Sequence, residues 1–154
     1  FEIGPYWQNC RGRQSFLVHS GHMSQSHRNL TGVWHGLYSY PRYFEPVYFV
    51  ATIISSKLHF GGTTHEAAEG RSGAPLQSFA HLDGSIAGNL VSFVKTYDGS
   101  ASRTHSVAYD GFLSADAMEI EGTWVIENEW SGRFLMLRRA GNSEQIVRKA
   151  FARV

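Results

Sequence analysis

Leu30–Pro41 reads LTGVWHGLYSYP, and Gly32, Trp34, Gly36, Tyr38 and Tyr40 fall on one parity. Period-two alternation of this kind describes a β-strand with one face buried. The two glycines leave room for a ring or a second backbone to lie close. The large aromatic residues fill the space beside them. We read this stretch as the strand that opens and closes a β-barrel.

Working outward, further strands are expected near 47–55 (VYFVATIIS), 56–65, 76–86, 90–97, 104–113, 118–126 and 130–139. Pro41 and Pro46 bracket the first connection. The stretch EAAEGRSGAP, 66–75, is small, polar and glycine-rich, and reads as a mobile lid. Strand seven alternates most cleanly: Met118, Ile120, Gly122, Trp124 and Ile126 on one face, Glu119, Glu121 and Thr123 on the other. On strand five the faces stay undecided. If Val91, Phe93, Lys95 and Tyr97 point inward, Lys95 is a buried cation that needs an anionic partner. Short strands joined by hairpin-length turns close to remove their edges. The expected fold is therefore all-β, an eight-stranded antiparallel up-and-down β-barrel. Asn142–Val154 adds either a short C-terminal helix packed on the wall or a ninth strand.

The chain of 154 residues suits one domain with a sizeable core. Its formal net charge of +1 gives no electrostatic footprint for nucleic acid, and no apolar run reaches the length of a membrane span. Residues 1–22 lack periodicity and end in Ser20-Gly21-His22 ahead of Met23. They read as a vector-derived or disordered leader, with 23–154 as the barrel domain; the alternative is an arm packed on the barrel. The leader holds Cys10, the only cysteine. No disulfide forms within the chain, which fits a cytoplasmic location.

The Gly32-x-Trp34 opening, the meander, Arg138 at the end of the last strand and the C-terminal helical stripe together resemble the calycin group of lipocalins, fatty-acid-binding proteins and avidin-like barrels. The resemblance implies a lumen that takes a small, mostly apolar ligand. Gly32-Val33-Trp34-His35-Gly36, Tyr40-Pro41, Glu45-Pro46 and the terminal Arg153-Val154 are also similar to nitrobindin-like haem barrels. Those proteins hold haem through a histidine near the C-terminus. Here the last histidine is His105, so no cofactor is carried over.

The chemistry visible in the residues is sparse. His59 and His65 lie six apart on a strand, ~20 Å, too far to share a metal, so no metal is expected. Gly-x-Ser-x-Gly is missing, and Gly70-Arg71-Ser72-Gly73 lacks the lysine and helix of a phosphate loop. His65, Glu66 and His105 at strand ends are the candidate acid–base groups of a small lumen enzyme. Trp34, Tyr38, Tyr40, Phe93, Tyr97, Trp124, Phe134 and Met136 are the candidate ligand-binding residues. The same side chains could equally fill a solid barrel that acts as an interaction module. The leading expectation is a binder of a small apolar or aromatic molecule, with no nucleic-acid or membrane partner. Closure sets the start of strand one beside the end of strand eight, so Arg138 is expected to stack on Trp34 as a structural seal.

Overall fold

In the computed structural model, residues 28–41, 45–69 and 72–138 are described. The leader 1–22 and the tail 142–154, with the helix or ninth strand expected there, lie outside the described residues. Strands β1 (Gly32–Ser39), β2 (Val47–Ser56), β3 (His59–Glu69), β4 (Pro75–Ala87), β5 (Leu90–Tyr97), β6 (Ser106–Leu113), β7 (Glu119–Val125) and β8 (Ser131–Arg138) follow one another round a closed antiparallel barrel. Each strand pairs with its sequence neighbours, and β8 returns to β1. A single 3₁₀ turn at Ser100–Ser102 lies in the β5–β6 connection. Among the described residues no helix is long and apolar enough to cross a membrane.

Alternation sorts the side chains between lumen and wall. On β5 every second residue is buried, and the buried set is Val91, Phe93, Lys95 and Tyr97. Lys95 therefore points inward. On β7 Ile120 and Trp124 are buried while Glu121, Thr123 and Val125 are exposed. The core runs through the lumen, where the Phe93 and Tyr109 rings stack at 4.6 Å and the edge of Phe134 meets both. Outside, Leu37, Leu135 and Leu137 form a small second cluster with Tyr48.

Glycines set how closely the strands approach. A Cβ on Gly122 would run into the Asp110 carbonyl oxygen and lie 2.5 Å from the Gly111 Cα. One on Gly84 would lie 2.5 Å from Phe93 Cβ and 2.6 Å from the Phe60 ring. By contrast, a Cβ on Gly61 would meet nothing nearer than the Leu82 carbonyl at 3.6 Å.

The junction of β1 and β8 closes one end. Trp34 pairs with Arg138 across the ladder, and the guanidinium lies 4.6 Å from the Trp34 ring centroid. Arg138 Nη2 donates to the Asn29 carbonyl at 2.6 Å, and Trp34 Nε1 donates to the Leu30 carbonyl at 2.9 Å. Leu30 and Trp34 are both fully buried.

Two expectations are corrected. Residues 66–69 and 75 of the expected lid are strand. Strand β3 continues to Glu69 and β4 starts at Pro75, with Ala67 opposite Gln77 and Ala68 opposite Leu76. Small residues fit the pleat as readily as a loop when a partner strand satisfies their backbone groups. The boundary between strands two and three is also displaced, because Lys57 takes a left-handed conformation (φ 56) and turns the chain there.

Gly122→Ala should lower stability by about 1–3 kcal/mol, the usual cost of forcing atoms into a packed site, whereas Gly61→Ala should change it by less than about 0.5 kcal/mol. Urea unfolding midpoints of the two variants provide the comparison.

Candidate ligand-binding site

The end opposite the Trp34–Arg138 seal is built differently. There the ends of β1, β3, β5 and β7 meet the starts of β2, β4, β6 and β8. Alternation on β3 turns Phe60, Thr64 and Glu66 inward. Register places Glu66 between Phe49 and Ser78. Glu66 is 2% exposed and Lys95 1% exposed, and the two form an ion pair inside the lumen.

Around that pair the polar groups converge. Tyr97 Oη lies 3.0 Å and 3.1 Å from the two Glu66 oxygens. Tyr38 Oη donates to Oε2 at 3.2 Å, and Arg103 Nη1 donates to the same oxygen at 3.2 Å. The ammonium of Lys95 also lies 4.6 Å from the Tyr97 ring centroid and 4.9 Å from that of Tyr38. A carboxylate offers about four lone-pair sites. The lysine, two phenols and a guanidinium occupy them, so a substrate group reaching Glu66 would have to displace one of these donors.

Aromatic rings frame this network on its outer side. Tyr40 meets Trp124 edge-on at 5.1 Å and Trp130 at 6.1 Å, and Tyr38 meets Trp124 at 5.9 Å. Trp124 Nε1 donates to the Ser39 carbonyl at 3.1 Å, which fixes its ring. Exposure rises outward, from the buried pair to Arg103 at 32% and Trp130 at 43%. One rung deeper on β3, Thr64 Oγ1 is buried without a hydrogen-bond partner among the described residues.

Burial favours the neutral phenol at Tyr38, Tyr40 and Tyr109. Burial first, then the Glu66 charge, pushes Tyr38 far above the ordinary tyrosine range. Burial does the same to Tyr109 and also raises Tyr40. For Arg103, burial alone would pull the guanidinium down. The oxygens of Tyr38, Tyr97 and Glu66 outweigh it, and the net shift is upward, so the group stays charged.

The residues singled out in the sequence separate into three places. Tyr38, Tyr40, Tyr97 and Trp124 gather at this end. Phe93, Phe134, Met136 and Trp34 pack the middle of the lumen and the sealed end, all 5% exposed or less. His65, Glu66 and His105 are not brought together. Only Glu66 enters the lumen; His65 is on the outer wall, stacked on Phe79 at 4.8 Å, and His105 is exposed beside the Tyr97 ring at 4.9 Å. Arg103 and Thr64 were not anticipated. Arg103 follows a loop sequence, DGSAS, that carries no pattern, and its place depends on the turn at Ser100–Ser102.

A groove of about 390 Å³ also crosses the outer wall, lined by His59, Asp83, Ser92 and Asp110 among others. Ser92 Oγ donates to Asp110 there at 2.6 Å. It lies outside the lumen and shares no charged residue with the Glu66 network. Among the described residues no group of three or more histidine, cysteine, aspartate or glutamate side chains is placed to hold a metal.

Glu66→Gln removes the counter-charge of a buried lysine and should cost about 3–5 kcal/mol in chemical denaturation. Replacing both partners, Glu66→Leu with Lys95→Met, should cost less than the single change. A second expectation concerns alkali. Unfolded tyrosines ionise near pH 10, while Tyr38 and Tyr109 stay protonated in the fold. Their contribution is complete below pH 10 and is lost above it, at about 1.4 kcal/mol per pH unit for each phenol. Unfolding midpoints measured across that range should fall accordingly, and Tyr38→Phe should flatten the slope.

No family model matches this chain, and no curated protein or solved structure is detectably similar to it.

Proposed function

We propose that the protein binds a small aromatic molecule in the lumen, at the end framed by Tyr40, Trp124 and Trp130. The calycin-like character of the barrel belongs to the same proposal. The observation that carries it is the asymmetry of the closed barrel. One end is plugged by Leu30, Trp34 and Arg138, and the middle is filled by stacked rings. The other end keeps a buried ion pair, several phenols and partly exposed tryptophan. A barrel that merely needed filling would be served as well by apolar side chains. Buried ion pairs are often no more stabilising than hydrophobic replacements of similar volume. Aromatic walls with a few fixed polar groups are what a small-molecule site requires. The buried Thr64 hydroxyl offers a further polar contact to a ligand atom reaching inward. Binding is favoured over acid–base catalysis because Glu66 is saturated and neither His65 nor His105 reaches it.

Calorimetric titration with 2-naphthamide, a neutral flat probe, tests the reading. Trp130→Ala and Tyr40→Ala should weaken binding by about tenfold, the loss of one or two good aromatic contacts. Arg138→Ala should leave affinity nearly unchanged while lowering stability by about 0.5–2 kcal/mol. Failure of the folded protein to bind, or equal loss on Arg138→Ala, would exclude the site.

A further inference from the structure

Resting on that reading, we propose that the ligand carries an acidic group and that Arg103 at the rim receives it. Lys95 and Arg103 share one carboxylate, Glu66. Among the described residues no second carboxylate pairs with either cation. The network therefore holds a surplus positive charge, set among aromatic rings where screening by water is weak.

Exposure decides where that surplus is displayed. Lys95 and Glu66 are sealed at 1% and 2%, and Arg103 reaches solvent at 32%. The bond to Glu66 runs through Nη1 of Arg103. A guanidinium carries five N–H donors in a rigid fork, so it can serve a buried carboxylate and an incoming one together.

The backbone beneath it is fixed in advance. Gly99 N donates to the Arg103 carbonyl at 2.9 Å, and Arg103 N donates to the Ser100 carbonyl at 3.1 Å. Ser100 Oγ accepts from Phe79 N at 2.7 Å, which ties the turn to β4. The nearby Asp98 carboxylate accepts from Ser100 N at 2.8 Å. The guanidinium carbon lies 5.5 Å from the Tyr97 ring centroid, which restricts the side chain further. A carboxylate arriving from outside meets a charged donor already in place, while the flat body of the same molecule rests on Tyr40 and Trp130. Charge-assisted bonds of this kind are about twice as strong as neutral ones. An aromatic cation would meet the same surplus as repulsion.

The test compares 2-naphthoate with its neutral isostere 2-naphthamide on the full chain by calorimetry. The acid should bind about tenfold tighter, as expected for one charge-assisted contact. Raising the salt concentration should reduce that preference. Arg103→Gln should bring the two affinities within about threefold, chiefly by weakening the acid, and Arg103→Lys should restore part of the difference. Equal binding of acid and amide to the unaltered protein would overturn the acidic group and leave the lumen site standing. A preference that survives Arg103→Gln would overturn the role of Arg103. Binding of neither probe would overturn both readings. The comparison on the unaltered protein does not depend on how any variant folds.

Discussion

A lysine and a glutamate facing each other inside a barrel set the terms for half of this molecule. Taking either charge out of water alone costs several kcal/mol, so neither side chain is tolerable without the other. Glu66 comes from β3 and Lys95 from β5, and β4 lies between them. The contact therefore bridges β4 on the inner face of the barrel and does not follow a ladder. It fixes which face of each strand looks inward, because a slip of one residue would send both charges to the outer wall. The phenols of Tyr38 and Tyr97 and the guanidinium of Arg103 then complete the carboxylate's hydrogen bonding. Networks of this kind favour a single geometry only when every member is satisfied, and here the carboxylate is.

The same constraint divides the barrel along its axis. In the sealed half the interior is rings and methyl groups, and glycines admit them: Gly84 makes room for Phe60 and Phe93, and Gly122 for the neighbouring backbone of β6. In the other half the interior is polar and graded in exposure toward solvent. Strand pairing is continuous round the barrel, so the two halves share one wall and differ only in what fills them. The site reading rests on that difference.

Much of the architecture was legible because it depends on period-two patterns. Leu30–Pro41 and Met118–Ile126 alternate so regularly that their inner faces could be read directly, and closure then set Trp34 beside Arg138. Strand five resisted the same reading, since Lys95 breaks the apolar face that a one-dimensional pattern relies on. Its orientation is decided by a partner on another strand. Glu66 was legible as a candidate group but not as an interior one. It opens EAAEGRSGAP, whose small and polar residues resemble a loop, and only the pairing of β3 with β4 continues the strand through it. Arg103 could not have been found from local pattern at all, because its position is set by a turn anchored to β4.

Lys95 is a buried ammonium held against Glu66 between the rings of Tyr38 and Tyr97. Proton–nitrogen NMR of the lysine ammonium groups at neutral pH tests it most directly. The account predicts a lysine ammonium signal protected from solvent exchange, with cross-relaxation to the ring protons of Tyr38 and Tyr97 and loss of the signal in Lys95→Met. Rapid exchange at every lysine, with no ring contact to any ammonium, would contradict it.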